Sequence, residues 1–361
     1  MRVLIAAGGT GGHIYPGIAV AKEIMRRDPS SVVRFVGTAH GLETRLVPNA
    51  GFELSLIESA GLVNMGLAQR LRGLLILPKS FLAARRLIKA FQPDIVVGAG
   101  GYVSGPVLLM ATLMRVATLV MESNAVPGFT NRRLARFVDA AAVSFAAALG
   151  YFRGKGVLTG NPVRSEFFDI QAKKREPARF CLLIFGGSQG ARAINQAMLQ
   201  ALPHLETYRE RIHVTHQTGK LDFATVRGGY AAAGWKQADV REYIDDMVSA
   251  FTENDLIVSR AGATTSFELM AAGKPALMVP LPGQMEQTRN AEVMQQAGAA
   301  RMISQNELTG ERLATEIGSL IDQPEEITRM EASGRKLARR DAAAATVEMI
   351  EKLIAAKQKM K

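Results

Sequence analysis

Two stretches of this chain follow one plan. Near the start, "VLIAAGGTGG" runs into "IAVAKEI"; near residue 182, "LLIFGGSQG" runs into "ARAINQAM". Each is an apolar run, a Gly-Gly-Thr/Ser-x-Gly turn and a helical pattern. That is the opening unit of a doubly wound sheet, in which the first strand feeds a glycine turn and a helix. A chain that carries this opening twice is expected to fold as two such domains. Its 361 residues suit two cores of about 150–200 residues each.

The rest of the pattern agrees. Strand-like runs fall at 2–8, 32–38, 94–100, 117–123, 180–187, 211–219, 239–244, 255–262 and 275–282, with helical patterns between several of them. Such alternation predicts parallel sheets covered by helices. The apolar stretch 103–121 contains Ser104, Gly105, Pro106 and Arg115, so it reads as a buried helix and a strand rather than a membrane span. Segment 159–180 has two prolines and a charge run, and reads as a hinge between the halves. The final pattern, 345–360, reads as a helix that could join either half.

Charge is unevenly placed. Residues 1–163 hold 18 Lys/Arg against 8 Asp/Glu, and the remainder 26 against 25, so the first half carries ten of the eleven excess positive charges. No acid occurs from Ser59 to Pro93, where Arg70, Arg72, Lys79, Arg85, Arg86 and Lys89 fall. This half should attract an anionic partner: a nucleic acid, a phosphorylated ligand or a membrane surface. Nucleic acid fits poorly, because the stretch has no Tyr or Trp for stacking and no nucleic-acid motif is present. One cysteine, Cys181, excludes a disulfide framework and points to a reducing cytosol. The first apolar run ends in glycines rather than a cleavage site, so no signal peptide is read.

Three glycine turns stand out: "GGTGG" (8–12), "GGYVSG" (100–105) and "GGSQG" (186–190). Amides at a helix start favour phosphate by roughly 0.3–1 kcal/mol per charge at exposed sites. Glycines also simply make tight turns, and one loop alone does not decide. The nicotinamide fingerprint is absent, and no acid ends the second strand, where "RFVGTAH" stands. The P-loop pattern is absent too, which argues against a dehydrogenase or an ATPase. In "SRAGATTSFELMAAGKP" (259–275), small residues lead to Thr264, Thr265 and Ser266 at a helix start, with Glu268 in the first turn. These residues could seat a diphosphate and a ribose, or could be an ordinary capped helix. The polar cluster Gln284, Glu286, Gln287 and Asn290 follows a strand, where open α/β sheets bind ligands. The five histidines are scattered, nothing resembles a metal cage, and no cofactor is expected.

Eight ordered motifs then carry a resemblance: "GGTGGHIYP", "GAGGYVSGP", "ESNAVPGFTN", "TGNPVR", "FGGSQGAR", "YIDDM", "SRAGATTSFEL" and "EQTRNA". Together they span nearly the whole chain, which resembles the MurG family, the family-28 glycosyltransferases of peptidoglycan assembly. The resemblance implies a GT-B protein: α/β, with two Rossmann-like doubly wound domains facing across a cleft. Residues 1–163 plus 340–361 would be the acceptor and membrane domain, and 164–339 the UDP-GlcNAc domain. It implies an inverting transfer of N-acetylglucosamine from UDP-GlcNAc to the 4-hydroxyl of the muramyl sugar of lipid I (undecaprenyl-pyrophosphoryl-MurNAc-pentapeptide), giving lipid II. The alternatives are a glycolipid-forming relative and a non-catalytic nucleotide-sugar-binding protein.

Carried onto this sequence, the backbone of Ile244 would meet the uracil, and Arg164 and Ser188 the nucleotide and its phosphates. Ala263, Thr264, Thr265, Ser266 and Phe267 would form the helix-start phosphate site, and Glu268 would hold the ribose. Gln287 would read the sugar hydroxyls, and Asn124 would reach the donor sugar from the other domain. Thr10, Gly11 and Gly12 would face the reacting centre, touching the donor and the acceptor diphosphate. Gly101, Tyr102, Ser104 and Glu122 would serve the acceptor. The family usually has His-Glu-Gln-Asn where this chain has "MESN" (121–124), so Met121 and Ser123 depart from it.

The attacking hydroxyl needs a base, and the departing UDP needs a positive site. His13, after the first glycine turn and before an N1-like Pro16, is the base candidate by its near-neutral pKa. It could equally cap the helix or touch an acceptor phosphate. The stretch 64–91 joins leucines, Phe81 and Phe91 to six cations. Given a lipid-linked acceptor, it reads as a patch that would hold the protein peripherally on the cytoplasmic side of the cell membrane.

Overall fold

The structure is a computed structural model that describes residues 1–59, 67–173, 175–176, 178–187 and 189–359, with side chains between 67 and 76 outside the description. The chain divides into two compact units, residues 1–164 with 339–361, and residues 165–338.

Unit 1 begins with β1 (Arg2–Ala7), α1 (Gly11–Arg27), β2 (Val32–Gly37), α2 (Glu43–Asn49) and β3 (Glu53–Leu56). It continues through α3 (Leu67–Phe91), β4 (Ile95–Gly100), α4 (Ser104–Leu113), β5 (Ala117–Glu122), α5 (Phe129–Leu134), β6 (Ala140–Val143) and β7 (Gly156–Leu158). Its seven strands run parallel in the order β3-β2-β1-β4-β5-β6-β7. Strands β4 and β5 are buried along their whole length, as helices on both faces require, and so read as unbroken apolar runs. One face packs Ile5, Ile14, Ile18, Phe35 and Val97, and the other Leu4, Ile88, Val96, Leu108 and Val120. Each such side chain stabilises the fold by about 1.5–3 kcal/mol.

Unit 2 repeats the plan with β8 (Phe180–Phe185), α6 (Arg192–Ala201), β9 (Ile212–Gln217), α7 (Phe223–Ala232), β10 (Asp239–Arg241), α8 (Met247–Glu253) and β11 (Leu256–Ser259). It closes with α9 (Ala263–Ala272), β12 (Ala276–Met278), α10 (Met285–Gln296), β13 (Ala300–Met302), α11 (Gly310–Asp322) and α12 (Pro324–Leu337). The parallel order is β10-β9-β8-β11-β12-β13. The last helix, α13 (Ala342–Gln358), sets Val347 and Ile350 into the core of unit 1 beside Ile14 and Ile18.

The segment read as a hinge contains the division between the units, after Arg164. Its part from Ser165 onward packs on unit 2: Phe167 is buried edge-on to Phe251, Lys173 pairs with Asp255 at 2.9 Å, and Arg335 donates to the Ile170 carbonyl. Two helix starts differ from the sequence reading. α1 starts at Gly11, so His13 is its third residue and Pro16 its sixth. Thr10, extended, caps the helix with its carbonyl, and the turn can therefore begin before the proline. α9 starts at Ala263, so Glu268 is its sixth residue, in the second turn rather than the first.

In each sheet the chain reverses its winding between the first and fourth strands, at β1/β4 and at β8/β11. Open α/β sheets bind ligands beyond the strand ends at such a switch point. "GGTGG" and "GGYVSG" follow β1 and β4; "GGSQG" and "RAGATT" follow β8 and β11.

Candidate active site

In unit 1 the two glycine turns interlock. Gly101 has φ +82°, and a Cβ there would stand 2.3 Å from the Gly8 carbonyl oxygen. Gly100 has φ +124°, and a Cβ there would stand 2.1 Å from His13 Nδ1. Glycine is required at both positions by backbone angle and by space. The β1–β4 ladder skips Ala99, pairing Ala6 with Gly98 and Ala7 with Gly100. The Ala99 backbone accepts a hydrogen bond from His13, which on its own would raise the pKa. Burial outweighs it and holds the imidazole below its usual 6.5. His13 is therefore neutral at pH 7, with Nδ1 turned to the β4 backbone.

Around it, the Thr10 side chain is exposed and makes no cap bond, and no acid occupies the first turn of α1, so the amide end at Gly11 and Gly12 stays electropositive. Tyr15 lies over Gly11, and the Arg164 guanidinium sits 5.4 Å from the Tyr15 ring centre. Arg164 thus packs beside the α1 start, within unit 1. Tyr102 is 52 % exposed, and its carbonyl accepts from Ser59. Ser104 is turned inward: its hydroxyl meets the Ala6 and Gly100 carbonyls and the Gly100 amide, bracing β1 against β4.

Glu122, buried at the end of β5, receives four donors. The Asn124 amide (2.8 Å) and Asn124 Nδ2 (3.1 Å) meet Oε1, and the Gly128 amide (3.3 Å) and Asn131 Nδ2 (2.8 Å) meet Oε2. Burial raises its pKa, and these donors oppose the rise. Glu122 thereby fixes loop 123–128 and orients Asn124.

In unit 2 the groups gather at the β8/β11 switch point. α9 opens on Gly262 with no side-chain cap and no acid in its first turn. The Thr264 hydroxyl is enclosed and has no protein partner among the described residues. Such an orphan in a native site calls for a ligand or an ordered water. Thr265 is half-buried, and Ser266 turns its hydroxyl back to the Gly262 carbonyl at 3.0 Å. Phe267 and Glu268 are buried. The Asn290 side chain ties α10 to the Ala261 carbonyl, and Gln287 accepts from the Leu281 amide, so both shape the loops around α9. The Ile244 amide donates to Gln217 Oε1 at 3.0 Å, while Gln217 Nε2 donates to the Gly187 carbonyl at 2.8 Å. Ser188 lies outside the described residues. A cavity of about 270 Å³ in this unit is lined by Lys173, Cys181 and His213 at the opposite, N-terminal ends of the strands.

Comparison with known proteins agrees with this architecture. The models for the glycosyltransferase family 28 N-terminal and C-terminal domains match residues 3–143 and 181–346. A protein of Anaeromyxobacter sp. (strain K) is 49% identical over 340 residues, covering 93% of this chain and 88% of its own. One of Myxococcus xanthus (strain DK1622) is 45% identical, covering 95% and 90%. Both are named UDP-N-acetylglucosamine–N-acetylmuramyl-(pentapeptide) pyrophosphoryl-undecaprenol N-acetylglucosamine transferase. The crystal structure of Acinetobacter baumannii MurG superposes with a TM-score of 0.78 at 30% identity, over 97% of this chain and 99% of that one. The chain belongs to the MurG family. More distant structures share only the fold, such as a UDP-GlcNAc 2-epimerase from Neisseria meningitidis bound to UDP-GlcNAc (TM-score 0.71, 16% identity, covering 98% of this chain and 100% of that one).

Within this MurG-family chain, both departures at 121–124 have local explanations. Met121 is buried in the core beside Leu119. Ser123 donates to Asn161 Oδ1 at 2.9 Å and so ties the end of β5 to the "TGNPVR" turn.

Proposed function

We propose that this protein transfers N-acetylglucosamine from UDP-GlcNAc to the muramyl 4-hydroxyl of lipid I, forming lipid II and UDP. The observation that carries the reading is near-complete coverage, at up to 49% identity, by relatives named for that reaction. The decisive assay is UDP release from UDP-GlcNAc with a soluble lipid I analogue. Release only when the analogue is present is the expected result. Release to water alone, or none with the analogue, would contradict it.

In unit 2, the open amides of residues 263–265 and the Thr264 hydroxyl would receive the donor diphosphate, and Glu268 the ribose hydroxyls. As the anomeric C–O bond breaks, UDP keeps the electron pair, and the helix start stabilises the growing charge. In unit 1, His13 would take the proton of the attacking 4-hydroxyl at Nε2, since Nδ1 faces the Ala99–Gly100 backbone. The α1 amides would meet acceptor phosphate. Glu122 acts through Asn124, because its two oxygens already receive four donors.

We also propose that unit 1 binds membranes peripherally on their cytoplasmic side. No helix among the described residues is long and apolar enough to cross a membrane. On α3, Lys79, Arg85, Arg86 and Lys89 are exposed, and Leu82 stands 54 % exposed among them. Arg70 and Arg72 lie where side chains are not described. Phe91, read from sequence as part of the surface patch, is instead buried in the core, with Arg2 stacked 4.7 Å from its ring centre. Four cations at roughly 1 kcal/mol each would give about 4 kcal/mol on an anionic surface, enough for reversible attachment. Co-sedimentation with anionic vesicles should be strong at low salt and fall at high salt. Equal recovery with neutral vesicles at both salts would contradict the electrostatic part.

A further inference from the structure

Glu43, the first residue of α2, is completely buried, and no basic side chain is paired with it among the described residues. Its carboxylate is held by donors from two loops. The Gly9 amide donates to Oε2 at 2.9 Å; the Thr38 amide and hydroxyl each donate to Oε1 at 2.8 Å. Three glycines make its space: a Cβ on Gly8 would lie 3.0 Å from Oε1, on Gly37 2.5 Å from Cγ, and on Gly41 1.8 Å from Oε2. Three donors meet two oxygens, and only a carboxylate offers two acceptors with no hydrogen of its own.

The contacts continue in one direction. Glu43 grips Gly8 and Gly9; the Gly8 backbone lies against Gly101; and Gly100, next in the chain, lies against the His13 imidazole. The last two steps are contacts so close that a Cβ would break them, and the first is held by the Gly9 amide. We infer that Glu43 is a positioning residue for the reaction: it fixes the 8–12 turn, and through it the α1 amides and His13. This rests on the reading of unit 1 given above. The residue is not catalytic, because it is enclosed and its oxygens are engaged.

Two variants test it. Glu43→Gln keeps the shape but sets an NH2 against a backbone or hydroxyl donor. Gly41→Ala leaves Glu43 intact and presses a methyl group onto Oε2, so it carries the test should Glu43→Gln not fold. In either variant, amide exchange of residues 8–13 should quicken by roughly tenfold or more, with exchange in 180–338 unchanged. Turnover per UDP-binding molecule should fall by about tenfold or more, with KM for UDP-GlcNAc within about twofold. Wild-type exchange at 8–13 in both variants overturns the inference, whatever reaction the protein catalyses. So does wild-type turnover per UDP-binding molecule, which would make Glu43 a folding residue only. A wild-type protein that fails to transfer to the lipid I analogue overturns the functional reading alone, and the exchange measurement still judges Glu43.

Discussion

His13→Ala should lower kcat by roughly 10²–10⁴, the usual value of a positioned general base, while UDP binds as before. The structure sharpens this in two ways. Burial holds the imidazole below 6.5, so the neutral form dominates at pH 7 and is the form that accepts a proton. The sign follows: kcat/KM should be level through neutral pH and fall on acidification, with its midpoint below 6.5, as protonation removes the base. In His13→Ala that acid limb should vanish. The obvious substitute, Glu122, already receives four donors. A loss under tenfold, or an acid limb that survives, would move the base elsewhere, with the exposed Tyr102 next in line.

Glu268→Ala should raise KM for UDP-GlcNAc by roughly 100-fold, the value of two hydrogen bonds to a charged group at about 1.5 kcal/mol each. Loss of uniform donor binding leaves kcat at saturating donor nearly unchanged. The KM for the lipid I analogue should not move. Direct titration with UDP should show the same weakening, and titration with uracil or free diphosphate should not, because neither carries the ribose hydroxyls. An unchanged UDP affinity would remove Glu268 from the donor site. Since Glu268 is buried within α9, thermal unfolding should accompany the titration, so that lost folding is not scored as lost affinity.

The fold was legible where a strand is long and apolar. "VLIAA" and "LLIFGG" announce β1 and β8 because central parallel strands are buried on both faces, and glycine must follow where the chain turns sharply into a helix. The strands β3 "ELSL", β6 "AAAV", β7 "GVL" and β13 "ARM" carry no such signal. They are three or four residues long at or toward the sheet edges, and alanine has little strand preference of its own. Pairing to a neighbour makes them strands, and pairing is not written locally.

The site divides in the same way. Glycines that a motif spaces regularly could be picked out, because their freedom from Cβ is a local property. Glu43 and Gln217 could not. Each works by bridging backbone groups far along the chain: Glu43 reaches Gly9 across 34 residues, and Gln217 reaches Gly187 across 30. A faint signal did exist for Glu43. The second strand ends without an acid, but an acid follows six residues later, after Gly37 and Gly41, the glycines that make room for it. Ser104 shows the converse: a hydroxyl in a glycine-rich turn resembles a ligand contact until the sheet strands beside it claim both its donor and its acceptor.

In the proposed reaction the donor nucleotide belongs to the second unit, with its pyrophosphate at the α9 helix start. The test is a crystal structure of the protein soaked with UDP. The expected result is phosphate density over residues 263–265, the ribose against Glu268 and the base beside Ile244. Nucleotide seated on the Thr10–His13 turn of the first unit, with the α9 start empty, would contradict it.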